Sequence, residues 1–274
     1  MLGKHLRACD DFDLYAFRGD VTRREHLAAW QQTLPPLDAM LHLAAVVPVA
    51  RVDEAPDRAA EVNVGGTRNV IEALHAAGQT KVWLFYASTA HVYQPSSERI
   101  NESHPIAPIT IYGETKLRGE RVVEELARQY DMPYCIGRIF SYTSPWQARE
   151  LFIPNLCERI RTAAAGAVLP LRGGSTGRDF LTAEQIVSVV KTLTLKRHTG
   201  TINVGSGNTF YVRDVAIELK KQMGRDDVTF DFDHSDASLL IADVTSLRSL
   251  GVLESVDVSG LVSFYLEGLA ACRT

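Results

Sequence analysis

AEVNVGGTRNVIEALHAAGQTKVWLFYAST, residues 60–89, carries the pattern that decides the fold. Its first part sets Val64, Thr67, Ile71 and Leu74 on one stripe of an amphipathic helix and ends at Gly78, a residue suited to closing a helix. KVWLFYAST (81–89) follows as a β-rich run. Working outward, DLYAF (13–17), AMLHLAA (39–45), YCIGRIF (134–140) and TINVG (201–205) are further short β-rich runs, separated by helical patterns. Strands that alternate with helices predict an α/β fold, a doubly wound parallel sheet covered on both faces. In such sheets ligands bind beyond the carboxyl ends of the strands. Three segments that follow strands, Val46 to Arg51, TAHVYQ (89–94) and SYTSPWQ (141–147), are therefore expected to share one crevice. From about residue 145 the alternation loosens. The expected division is a main domain over 1–145 and a smaller C-terminal lobe over 146–274, with about 180–205 returning to the main domain.

The 274 residues are 46% hydrophobic and carry a formal charge of −4, which supplies a core but no basic field for nucleic acid or anionic lipid. Cys9, Cys135, Cys157 and Cys272 lie far apart and form no CxxC pair, so they read as thiols in a reducing compartment. No apolar run reaches the roughly 20 residues of a membrane span. Lys4, His5, Arg7, Asp10 and Asp11 break any leader-like core, so the expected location is the cytoplasm. The eight histidines show no HxxxH or similar metal spacing.

ITIYGETKLRGE (109–120) places Tyr112 and Lys116 four residues apart, on one face of a helix that leaves a proline-containing loop. A tyrosine near its ordinary pKa of about 10 is a poor acid or base at neutrality, and a lysine ammonium within about 4–6 Å favours the phenolate. The pair can act as a proton-transfer device. Taken alone, YxxxK more readily describes a half-buried tyrosine with a surface lysine.

Seven stretches in order weight the choice: GDV (19–21), HLAA (42–45), NVGGTRN (63–69), STAHVY (88–93), YGETK (112–116), GRIFSYTSP (137–145) and GRDFL (177–181). Together they resemble the extended short-chain dehydrogenase/reductases of the NAD-dependent epimerase/dehydratase type. The nearest in look are the dTDP-4-dehydrorhamnose reductases and the sugar-nucleotide 4-epimerases. The resemblance implies a Rossmann-like NAD(P)-binding domain, a nucleotide-sugar substrate and a homodimer through the helices at 60–78 and 112–129. It makes Tyr112 the general acid/base, Lys116 the residue that holds the nicotinamide ribose and lowers the tyrosine pKa, and Thr89 the hydroxyl that hydrogen-bonds the substrate oxygen, with Ser88 beside it. Asp20 and Val21 would contact adenine, although Asp20 also reads as a helix N-cap. Leu43, Ala44 and Ala45 would line the cofactor channel next to His42, itself readable as a core histidine. Asn63 would organise the strand end and the cofactor site. Ser141 and Arg178 would meet the substrate, the arginine clamping its phosphates.

Some positions depart from that pattern. The family opens with a buried strand and GxxGxxG, whereas MLGKHL matches only the end of that motif, with Gly3 at the third glycine. An incomplete start, lacking the first strand and most of the glycine motif, is the expectation. Ala90 and His91 stand where dehydratases carry Asp-Glu, which argues against dehydration. Arg18 stands where an acidic ribose-binding residue is expected, which favours NADP over NAD. The implied activity is NAD(P)-dependent redox chemistry at C4 of a nucleotide-linked sugar, as in a 4-keto-sugar reductase. The alternatives are a 4-epimerase with tightly bound NAD and a noncatalytic nucleotide-sugar-binding or regulatory relative.

Overall fold

The computed structural model describes residues 2–8, 11–47, 49–233, 238–252 and 254–272. Its main sheet contains four parallel strands in the order Ala39–His42, Trp83–Thr89, Tyr134–Ile139 and Gly200–Val204. Trp83, Leu84, Phe85 and Tyr86 are all buried, because both faces of the sheet are covered. Trp83 and Phe85 pack with Ile186, Val189, Val190 and Leu193 of the Ala183–Leu195 helix. Leu84 and Tyr86 face the other way, onto Ile71, Leu74, Val123 and Leu126. Each such apolar side chain stabilises the fold by about 1.5–3 kcal/mol relative to an exposed position.

Two elements differ from the sequence expectation. The run 13–17 is not a strand: among the described residues nothing pairs with it, and Leu14 and Tyr15 stand in solvent. Its β propensity measures fit to a sheet surface rather than a backbone preference, and no ladder reaches it. The helix expected over 60–78 is interrupted, running as Pro56–Ala60, a π-turn at Glu61–Gly66 and Thr67–Ala76. Thr67 Oγ1 donates to the Asn63 carbonyl at 2.7 Å inside the widened turn. Gly66 lets the turn close on Val21, since a Cβ there would lie 2.6 Å from Val21 Cγ2.

The helix Ile111–Gln129 starts sharply because Thr110 caps it, its hydroxyl accepting from the Gly113 amide at 3.0 Å. A capping box of Thr182 and Gln185 starts Ala183–Leu195 in the same way. A further core lies outside the sheet, where Ile153, Leu156 and Ile160 meet Val215, Leu219, Leu261 and Val262. Short strands frame it. Gly177–Arg178 lies between Leu239–Leu240 and Phe210–Tyr211, and Ser141–Thr143 pairs with Phe180–Thr182. The buried Asp179 carboxylate accepts from the amides of Ser206, Gly207 and Ala242 and from the Ser206 hydroxyl. That fan of bonds ties the segment bearing Arg178 to the end of the last sheet strand. Cys135 and Cys157 are buried thiols, Cys272 is an exposed one, and Cys9 lies outside the described residues. No helix among the described residues is long and apolar enough to cross a membrane.

Candidate active site

A cavity of about 870 Å³ opens at the carboxyl ends of the strands. Val47, Thr89 and Gln147 all border it, so the three segments expected to share a crevice do so. Leu2, Gly3, Leu43 and Ala45 line one part, Thr89, His91, Tyr112 and Lys116 another, and Ser141 and Arg178 also border the cavity. Thr89 reaches it as the last residue of its strand. Tyr112 reaches it because the Thr110 cap begins the helix at Ile111, and Lys116 lies one turn further in.

Tyr112 is held in its neutral form. Burial pushes the phenol well above the ordinary tyrosine range, a hydrogen bond with Thr89 pulls the other way, and Tyr142 adds to the rise. The expected depression by Lys116 is not found. The Lys116 ammonium instead sits 4.1 Å from the centre of the Tyr86 ring. Burial lowers its pKa from 10.5 to about 7, and the attraction of Glu120 opposes that fall. His42, buried and 3.0 Å from the Thr67 hydroxyl, is lowered to about 3 by burial and by Lys116, so it is a neutral core imidazole.

Behind Lys116 lies a buried group of charges that the motif did not announce. Glu120, 2% exposed in its side chain, takes two bonds from Arg138, at 3.0 Å from Nε and 2.7 Å from Nη2. The Ser88 hydroxyl also donates to Glu120. Ser88 borders the cavity, and its hydroxyl donates inward to Glu120. Burial disfavours the Arg138 charge, yet the Glu120 carboxylate outweighs it and raises the arginine pKa. A signal was available: Tyr112, Lys116 and Glu120 recur at four-residue spacing on one helical face.

The remaining candidates divide. Asn63 is fully buried, accepts from the Val46 amide at 2.7 Å and donates to Thr115 Oγ1 at 3.0 Å, so it ties the loop after the first sheet strand to the Tyr112 helix. Ala44 is exposed between the two cavity residues Leu43 and Ala45. Arg178 donates to the Gly177 and Ser238 carbonyls at the cavity wall. Asp20 and Val21 are not among the cavity residues. Asp20 accepts from the Thr22 amide at 2.9 Å and from Arg58 at 3.0 Å, interactions that hold its carboxyl at about 2, and Val21 is packed in the core. The helix after them starts at Arg24, with Arg23 rather than Asp20 at its N-cap, so the Asp20 bond to Thr22 is a local turn.

A parallel, doubly covered sheet whose crevice joins a threonine, a tyrosine and a lysine one helical turn from the tyrosine defines a Rossmann-like short-chain dehydrogenase/reductase. The chain belongs to the NAD dependent epimerase/dehydratase family, whose model matches residues 4–205. It is 28% identical over 241 residues to the UDP-glucose 4-epimerase of Halalkalibacterium halodurans, covering 80% of this chain and 70% of that protein. It is 29% identical over 223 residues to the dTDP-glucose 4,6-dehydratase of Mycobacterium tuberculosis, covering 79% and 64%. Among solved structures, RMD from Pseudomonas aeruginosa, complexed with NADPH, superposes with a TM-score of 0.88 at 21% identity over 99% of this chain and 96% of that one. That likeness shows the fold.

Proposed function

We propose that the chain is an NAD(P)-dependent oxidoreductase acting at C4 of a nucleotide-linked sugar, of the 4-keto-sugar reductase type. The observation that carries this reading is the convergence of Thr89, Tyr112, Lys116 and Arg178 on one cavity.

The residues around the nicotinamide end fit such a cofactor. Lys116 borders the cavity with its ammonium against an aromatic ring and has donors for ribose hydroxyls. A Cβ at Gly3 would meet no protein atom within 4 Å, which leaves the backbone open to close approach. Gly3, Leu43, Ala45 and Lys116, which border the cavity, would hold the group. When bound, a reduced nicotinamide supplies the hydride.

The chain's own groups then handle the oxygen. Thr89 donates a hydrogen bond to the C4 oxygen as negative charge grows on it. Tyr112, kept protonated by burial, delivers its proton there. Lys116, about half charged at pH 7, would hold the cofactor ribose through its ammonium and does not depress the Tyr112 pKa. A phenol held neutral suits the reducing direction, which starts by giving a proton. An epimerase must start by taking one. The second reading, a 4-epimerase with tightly held NAD, is supported by the 28% identity to a UDP-glucose 4-epimerase. The homodimer through the helices at 60–78 and 112–129 is part of the same proposal; a monomer in light scattering at micromolar concentration removes it.

The test is NADPH oxidation with 4-keto sugar nucleotides by the wild type and Tyr112→Phe. Turnover in the wild type is expected to vanish in the variant while cofactor affinity stays within about threefold, because only the proton donor is lost. Normal turnover in Tyr112→Phe refutes the assignment. A cofactor that co-purifies and survives dialysis selects the epimerase.

A further inference from the structure

The groove between the helices Arg24–Gln31 and Thr67–Ala76 opens into a second cavity of about 530 Å³. That size falls within the range of about 300–1,000 Å³ typical of small-molecule pockets. No described residue lines both it and the Tyr112 cavity, so it stands apart from the chemistry above. Room is left there because the groove positions are the small Ala28, Ala73 and Ala76, while Leu27 and Leu74 beside them are buried in the core. Gln31 lines the cavity and is only 7% exposed. Its amide nitrogen and oxygen are both shut off from solvent, and neither has a hydrogen-bond partner among the described residues. A buried amide in that state costs free energy, which a ligand offering it one donor and one acceptor recovers. Two turns away on the same helix, about 10 Å along the axis, Arg24 also lines the cavity. Its guanidinium meets the Glu72 carboxylate at 2.6 Å and donates to Asn69 Oδ1 at 3.1 Å. Asn69 in turn donates to the Val21 and Thr22 carbonyls, which fixes that part of the wall. Arg24 is 69% exposed in its side chain and can still donate to an anion.

We propose that this cavity is a second small-molecule site, one that binds an adenine nucleotide. The proposal is independent of the activity argued above. The Gln31 amide pairs with the edge of the base, its oxygen accepting from the N6 amine and its nitrogen donating to N7, the two-bond pairing that a carboxamide makes with adenine. The alanine methyls pack on the faces of the planar ring. Glu72, an acceptor only, takes the ribose hydroxyls. Arg24 takes the 5′-phosphate. Base and phosphate are the two ends of a nucleotide, as Gln31 and Arg24 stand two turns apart on their helix. No covalent bond is made or broken.

The experiment titrates AMP, adenosine and IMP calorimetrically into the full chain, and locates the bound base by photo-cross-linking with the 8-azido derivative of AMP. AMP is expected to bind more tightly than about 0.1 mM and to cross-link to the peptides that carry Gln31 or Ala73. Adenosine lacks the phosphate and IMP lacks the amine at C6, so each is expected to bind at least about tenfold more weakly. In Gln31→Leu the AMP affinity is expected to fall at least about tenfold while the urea midpoint rises, because the unpaired amide is gone. No AMP binding at about 1 mM, or cross-links confined to peptides of the Tyr112 cavity, overturns the proposal. Undiminished binding in Gln31→Leu overturns it too. A lowered urea midpoint in that variant shows that the amide has a partner within the protein, which removes the ground for the site. Equal affinity for IMP overturns the reading of the base by Gln31, and equal affinity for adenosine overturns the phosphate contact of Arg24.

Discussion

Replacing Lys116 by Met is expected to stabilise the protein while abolishing its turnover. The lysine is 2% exposed, and its pKa falls from 10.5 to about 7. At about 1.4 kcal/mol per unit, burying the charged form costs about 5 kcal/mol relative to water. The folded value lies below the unfolded one, so the unfolded chain binds more protons between about pH 7 and pH 10.5. Stability therefore rises with pH through that window, and the full cost is present below it. Methionine keeps the stem packed on Tyr86 and removes the titration. Part of the gain is offset by the lost contact with the Tyr86 ring, roughly 1–2 kcal/mol. Lys116→Met is expected to exceed the wild type by about 2–4 kcal/mol at pH 7, and that advantage shrinks by roughly 2 kcal/mol on going to about pH 9. Urea unfolding followed by tryptophan fluorescence at the two pH values measures both quantities. A variant that is less stable at pH 7, or whose difference from the wild type does not change with pH, refutes the assignment of Lys116 as a buried charge held at a cost.

Glu120→Gln leaves the Arg138 guanidinium buried without its carboxylate and is expected to lose about 3 kcal/mol or more, read as a lowered urea midpoint; an unchanged midpoint contradicts the buried pair. Gly113→Ala forces a Cβ against the His91 carbonyl, so about 1–3 kcal/mol of stability and at least about tenfold in turnover are expected to go together. Urea unfolding and steady-state kinetics on the same preparation check the pairing. Arg178→Ala is expected to raise the KM for the sugar nucleotide about tenfold or more with kcat changed less than about threefold; a fall in kcat at constant KM would move Arg178 from binding to chemistry.

Of the strands that the sequence revealed, Trp83–Thr89 and Tyr134–Ile139 are buried on both faces, where a run such as WLFY has nowhere to go but a sheet interior. DLYAF has a similar composition and no ladder, so its pattern describes a partner that the described residues do not supply. Helical periodicity fails at 61–66 because the Asn63 side chain bridges two other segments and the turn widens around it, a tertiary demand invisible to a count of apolar positions. The site residues Tyr112, Lys116 and Thr89 were legible as a motif. Their electrostatics were not. Charged residues ordinarily read as solvent-facing, so nothing in the sequence pattern singled out Glu120 and Arg138 as a buried pair, although Arg138 lies inside the strand Tyr134–Ile139.

That buried pair explains how a lysine keeps part of its charge at such depth. The three residues of the motif face stand about 6 Å apart along the helix axis. They run from Tyr112 at the cavity through Lys116 against the sheet to Glu120, whose side chain is closed off by Arg138 and Ser88. The helix can lie this close only because Gly119 has no side chain; a Cβ there would fall 2.0 Å from the Tyr86 hydroxyl. The close fit that dries the site is therefore also what drives Lys116 toward neutrality. Glu120 raises the lysine pKa against burial, and Arg138 pairs with Glu120 where little solvent reaches. Without the carboxylate, burial alone would act on Lys116, its pKa would drop further, and less of its charge would be present at neutral pH. The carboxylate one turn deeper than the lysine thus holds part of the lysine charge at neutral pH.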